Sequence, residues 1–118
     1  MALTTQSPKI LVLIRTSLRP DCDLSAYAAM EARMNQLVSQ IPGYLGANAY
    51  AAADGEAFVM VQFASREALL QWRDLPEHLE AQHAGREKFY ASYDVRICSV
   101  ERAYDFSMDR EPKRSDKT

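Results

Sequence analysis

The chain opens its apolar pattern without gaps. Lys9 to Thr16, KILVLIRT, is apolar on both parities, which predicts a short strand covered on two faces. Arg19-Pro20-Asp21 breaks that run. In the following DLSAYAAMEARMNQLVSQI, residues Tyr27, Met30, Met34, Leu37, Val38 and Ile41 recur at three- and four-residue steps. This predicts an amphipathic helix with Asp23 or Ser25 as its cap. Pro42-Gly43 stops it. From Tyr44 the texture becomes YLGANAYAAA, followed by Asp54-Gly55 and then EAFVMVQF to Phe63. Two extended runs around an Asp-Gly pair predict a β-hairpin. Ser65 caps a second helix, SREALLQWRD, which Leu75-Pro76 interrupts. A third helical piece resumes at Pro76, where Asp74 and Glu77 have the spacing of a capping box. Tyr93 to Tyr104, YDVRICSVERAY, reads as the last strand.

The order is β-α-β-β-α-β with the second helix broken in two. That is the split pattern of an α+β, ferredoxin-like domain: one antiparallel sheet with both helices on one face. The expected organisation is a disordered N-terminal tail over 1–8, the domain over 9–106, and a disordered polar C-terminal tail over 107–118, SMDREPKRSDKT. Helices on one face should leave the other face wet and the strands alternating. Instead, Ile10 through Ile14 and Phe58 through Val61 are apolar on both parities. The chain has no further element to supply a second cover, so the pattern predicts a homodimer packed sheet to sheet, forming a dimeric α/β barrel.

Composition narrows the function. Of 118 residues, 47% are hydrophobic and 25% charged, and the net charge is −2. The basic residues form no stripe outside the tail, so nucleic acid is not an expected partner. No run approaches the roughly 20 apolar residues of a membrane span. MALTTQSPK lacks the charged and apolar regions of a signal peptide. Cys22 and Cys98 have no metal-type spacing and read as free thiols in a reducing cytoplasm. Four glycines and no nucleophile motif leave no phosphate loop, dinucleotide fingerprint or serine-hydrolase signature.

The versatile side chains concentrate in WRDLPEHLEAQHAGREKFYASY, which holds the single tryptophan, Trp72, and both histidines, His78 and His83. Trp72 is spaced to close the gap between helix and sheet. His78 lies in the first turn of the third helix, where the dipole favours a neutral ring. The two histidines are five positions apart, about 140° around a helix, so they do not form the i, i+4 pair of a metal site. Gly85 costs about 1 kcal/mol in a helix relative to alanine, so close packing against it is expected. Arg86 is placed to pair with Glu101 or Asp94, Asn48 is the one amide of a small-residue strand, and Arg15 closes the first strand. Tyr90 and Tyr93 flank the helix-to-strand junction.

Several of these residues match a known pattern: Pro42-Gly43-Tyr44 with Gly46, Trp72, Pro76-Glu77-His78, Gln82, Gly85-Arg86, Tyr90, Tyr93, and Val100-Glu101-Arg102-x-Tyr104. Together, over about Lys9 to Phe106, they resemble the antibiotic biosynthesis monooxygenase-like family of dimeric α/β-barrel proteins. The resemblance implies oxidation of a small polycyclic or phenolic aromatic by dioxygen, with no metal, flavin or haem cofactor. The pocket of such a protein stabilises a substrate enolate or phenolate that itself reduces dioxygen. On that basis Trp72 and His78 are the candidate catalytic residues, with Trp72 as a wall and His78 or Tyr90 moving a proton. Asn48, Arg15, His83 and Tyr90 are the candidate substrate-binding residues. A non-catalytic ligand-binding or stress-associated dimer is the alternative. The haem-degrading branch of the superfamily resembles this chain less: KILVLIRT lacks its asparagine, and the residue ten after Trp72 is Gln82, with His83 turned about 100° away.

Overall fold

A computed structural model describes residues 7–114, with side chains to residue 109. The N-terminal tail expected over 1–8 therefore lies largely outside the described residues. β1 (Ile10–Leu18), β2 (Tyr44–Ala51), β3 (Ala57–Phe63) and β4 (Tyr90–Ser99) form one antiparallel sheet in the order β2-β3-β1-β4. The helices α1 (Leu24–Val38), α2 (Arg66–Arg73) and α3 (Pro76–Ala84) are the crossovers. This is the expected α+β, ferredoxin-like arrangement. No helix among the described residues is long and apolar enough to cross a membrane.

Local chemistry sets the boundaries. The Asp23 carboxylate accepts the Ala26 N–H at 3.0 Å and starts α1. Gly43, at φ +94°, then turns the chain into β2 against the Ala68 methyl. In the β2–β3 hairpin Gly55 takes φ +90°, and Asp54 accepts the Glu56 N–H at 2.9 Å. Ser65 caps α2 through the Ala68 N–H. The capping box expected at Asp74 and Glu77 does not form. Leu75 occupies the cap position with Pro76 at the start of α3, the Asp74 carboxylate is held by Arg73, and Glu77 is drawn to Arg33 of α1 by two 3.0 Å bonds. Those ionic partners outcompete the local backbone donors.

Ile10, Val12 and Phe63 from the sheet meet Val38 at the end of α1, Ile41 just beyond it, and Ala68 and Leu69 from α2. Phe63 is completely buried. The core therefore sits under one end of the helical layer.

Beyond α3 the chain makes a π-helical turn, Gly85–Phe89, and enters β4 directly at Tyr90, three residues before the expected start of the strand. The guanidinium of Arg19 fixes this junction. It donates to the carbonyl oxygens of Arg86, Glu87 and Tyr90 at 2.5, 2.8 and 3.1 Å, the first two being carbonyls at a helix end. Arg86 does not reach Glu101 or Asp94, because it donates to the Tyr93 hydroxyl at 3.2 Å while Asp94 is taken by Arg15.

The tail expected to lack order from residue 107 instead carries a two-stranded hairpin, β5 (Tyr104–Ser107) and β6 (Arg110–Arg114). Composition alone reads this stretch as solvated, but Ser107-Met108-Asp109-Arg110 closes a tight turn in which the Ser107 hydroxyl bonds the Asp109 carboxylate. A ribbon with open edges also tolerates Pro112. Residues 115–118 lie outside the described residues.

Candidate active site

The two sheet faces are separated by strand parity. Pairing of Ile14 with Val59 and Val95, and of Val59 with Ala49, puts these four side chains on the helix face. Between them and the helices lies a partly open cavity of about 340 Å³, within the range of small-ligand sites. The small side chains of Ala47, Ala49 and Ala57 leave the space that larger strand residues would fill. The stretch YLGANAYAAA thus acts as the floor of a cavity.

One wall comes from α2 and α3. The Trp72 and His78 rings lie 4.1 Å apart between centroids and 30° from parallel, and both line the cavity. The break at Leu75-Pro76 makes this possible, since it lets the start of α3 fold back over the last turn of α2. Burial lowers the His78 pKa, opposed by hydrogen bonding to the backbone at Arg73 and Trp72. The ring is therefore neutral near pH 7. Its Nδ1 lies 3.5 Å from the Arg73 carbonyl oxygen, which only accepts, so the tautomer that bonds this oxygen carries its hydrogen on Nδ1 and has Nε2 as the acceptor.

The facing wall comes from α1 and β4. Tyr27, Glu31 and Met34 line the cavity from α1, and Tyr90 and Tyr93 from β4. The Tyr27 and Tyr90 hydroxyls are 3.4 Å apart, and their rings meet edge to face at 5.8 Å. Burial, then the contact with Tyr27, raises the Tyr90 pKa far above the ordinary phenol value, and burial raises that of Tyr27. Both phenols therefore keep their protons. Gly85 is required behind them. A Cβ there would come within 2.6 Å of the Tyr90 ring, so the close packing expected of this glycine holds the wall in place.

Trp72, His78 and Tyr90 are thus brought to one cavity, and the other candidates are not. Arg15 lies on the opposite sheet face, paired with Phe58 and Asp94 in the ladder, and its guanidinium bonds the Asp94 carboxylate at 2.7 and 2.9 Å. Asn48 shares that outer face with Met60 and accepts a 3.4 Å contact from Gln62. Both were read from residue type at a strand position whose parity the sequence left open. His83 points outward, exposed beside Glu87 at 3.7 Å, while its neighbour Gln82 lines the cavity. The reading missed Glu31, Tyr27 and Tyr93 as wall residues. Tyr27 and Met34 were visible only as part of an apolar stripe, and Glu31 had no signal except its place one helical turn after Tyr27.

Comparison with known proteins agrees with this architecture. Residues 9–84 match the family model described as antibiotic biosynthesis monooxygenase. An uncharacterised protein of Bacillus subtilis (strain 168), YqjZ, is 33% identical over 98 residues, covering 83% of this chain and 85% of that protein. The structure of Rv0793 from Mycobacterium tuberculosis superposes with a TM-score of 0.66 at 27% identity, covering 80% of this chain and 95% of that one. SnoaB, a cofactor-independent oxygenase from Streptomyces nogalater, shares the fold with a TM-score of 0.67 at 11% identity, covering 82% and 97%. By the span of its sequence match and by its fold, this chain belongs to the antibiotic biosynthesis monooxygenase family.

Proposed function

We propose that the protein is a cofactor-independent monooxygenase for a small phenolic or polycyclic aromatic, bound in the cavity between the helices and the sheet. The observation that carries this reading is the neutral His78 imidazole stacked on Trp72 in a mostly apolar wall. An aromatic substrate slides against indole, while Nε2 is free to take a proton. For an anthrone-type substrate, removal of a proton from the ring CH2 gives a carbanion conjugated with the carbonyl. It forms a C–O bond with dioxygen and yields a hydroperoxide. Loss of the second C–H proton with cleavage of the O–O bond leaves a new carbonyl and one water. The substrate supplies all the electrons, and dioxygen is the oxidant.

The test is oxygen uptake with dihydroxynaphthalenes and 1,8-dihydroxyanthrone. Uptake should fall on the order of 10²-fold or more in His78→Ala, and it should weaken in Trp72→Phe. Uptake that neither substitution changes overturns the assignment.

A second reading, a ligand-binding dimer without turnover, is favoured by one observation: Arg15 and Asn48, two of the candidate substrate-binding residues, face away from the cavity. It predicts saturable aromatic binding with no oxygen uptake. Either way a homodimer is proposed, since Leu11, Leu13, Phe58 and Met60 occupy the sheet face that no helix covers, with Tyr50 54% exposed beside them. Light scattering giving 13.3 kDa at micromolar concentration overturns the dimer.

A further inference from the structure

Glu31 is the one acidic side chain in the cavity wall among the described residues. None of those residues donates a hydrogen bond to it or forms an ion pair with it. Arg33, two positions on, is committed to Glu77. Its oxygens are not sealed, because no described buried side-chain oxygen or nitrogen lacks both a partner and open space. Glu31 lines the cavity, which provides open space beside it. Burial pushes its pKa up, so the fold holds a carboxylate where its charged form is disfavoured. A ligand can supply the missing partner.

The groups around it indicate which ligand. Tyr27 stands one helical turn before Glu31 on α1, Tyr90 and Tyr93 come from β4, and His78 and Gln82 face the cavity from α3. The wall contains no lysine or arginine among the described residues. Glu31 raises the pKa of both Tyr27 and Tyr90, so carboxylate and phenols share one neighbourhood. The carboxylate only accepts, and the phenols, held protonated, donate. That pair is the complement of a hydroxyl group, which gives one hydrogen and accepts another. An ammonium leaves the phenol hydrogen that is not spent between Tyr27 and Tyr90 without an acceptor, and an anion is repelled.

We infer that Glu31, with the Tyr27 and Tyr90 hydroxyls, is the specificity-determining group that reads a hydroxyl on the bound aromatic ring. Glu31 accepts the ligand's hydrogen and a tyrosine donates to its oxygen. The inference rests on the cavity being a ligand site, as proposed above, and not on turnover.

Trp72, the single tryptophan, lines the same cavity and reports occupancy by its fluorescence. Naphthalene, 2-naphthol and 2-naphthoate are titrated into the full chain, its Glu31→Gln variant and its Glu31→Leu variant. The wild type should prefer 2-naphthol to naphthalene by about tenfold and reject 2-naphthoate. Glu31→Leu should erase the preference for 2-naphthol while holding naphthalene as well or better, and Glu31→Gln, which keeps a neutral acceptor, should lie between. A 2-naphthol preference that survives in Glu31→Leu overturns the inference, as does a parallel loss of both ligands, and each leaves the cavity standing as a ligand site. Quenching by none of the three overturns both readings.

A thermal melt checks the fold independently. With a folded pKa raised above the unfolded value, any stability Glu31 lends is present at low pH and lost as pH rises through the folded pKa. Glu31→Gln should therefore melt higher than wild type at pH 7, and the gap should close below about pH 4. A Glu31→Gln variant that melts lower than wild type at pH 7 gives the carboxylate a structural role and overturns the inference.

Discussion

The two faces of the sheet are built from the same strands and have opposite chemistry. On the helix face, Ile14, Ala49, Val59 and Val95 line a cavity of small and apolar groups. One residue further along, on the outer face, Arg15 is held between Asp94 and Glu56, and Asn48 contacts Gln62. A one-residue step in a strand thus separates groups that can meet a ligand from groups that satisfy each other. Arg15 and Asn48, the strand side chains that residue type singles out, are thus on the wrong face for chemistry. Apart from Thr16 and Tyr44, the polar groups that do face the cavity come from the helices and the start of β4.

This contrast can be broken in graded steps. Phe63→Ala empties the helix-face core beside the cavity and should cost about 3–5 kcal/mol by denaturant melts. A loss under 1 kcal/mol would mean that the core at this end is not what supports that face. Gly85→Ala should cost about 1–3 kcal/mol through overpacking against Tyr90. It should also weaken binding of 2-naphthol, because the wall must shift, and unchanged binding would detach Gly85 from the site. His78 gives a smaller effect that depends on pH. Its folded pKa lies below the unfolded value near 6.5, so the folded state resists taking up the proton. Its penalty is absent above that value and grows as pH falls through it. Melting points should drop between pH 7 and pH 5, less steeply in His78→Gln, and identical slopes would place the imidazole in solvent. The smallest effect belongs to the outer face. Arg15→Ala should leave ligand affinity unchanged, since its guanidinium bonds Asp94 on the face away from the cavity. Loss of ligand binding there would collapse the distinction between the faces.

Most of the architecture was legible in the chain. The stripe from Tyr27 to Ile41, the Asp54-Gly55 turn and the Ser65 cap each encode their own element locally. The cavity was only half legible. Trp72 and His78 stand out by rarity and sit on one broken helix, so their meeting follows from local geometry. The strand candidates could not be assigned from residue type, because facing depends on register, and register depends on a hairpin turn and two long-range pairings. Asp74 failed as a cap and Glu77 as its partner because Arg73 and Arg33 offered stronger contacts, one of them forty-four residues away in sequence. Glu31 was invisible as a functional residue, since a glutamate in an amphipathic helix is ordinary until the elements that desolvate it are assembled. The C-terminal hairpin was hidden by composition, because a tight turn can order a polar ribbon that hydropathy assigns to solvent.

The position of β1 has a consequence for how the protein is made. This first strand lies in the interior of the sheet, between β3 and β4, and its partner across from Ile10 on one side is Ser99. During synthesis the ribosome delivers β1 first, and one flank of its backbone has no native neighbour until nearly the whole domain has emerged. For that interval KILVLIRT is an apolar template with an open edge, the kind of segment that pairs with the wrong chain. Slow passage through the codons for residues 64 to 90 would prolong the exposure. A nascent chain halted before Tyr90 should therefore bind a holdase chaperone that the complete chain escapes.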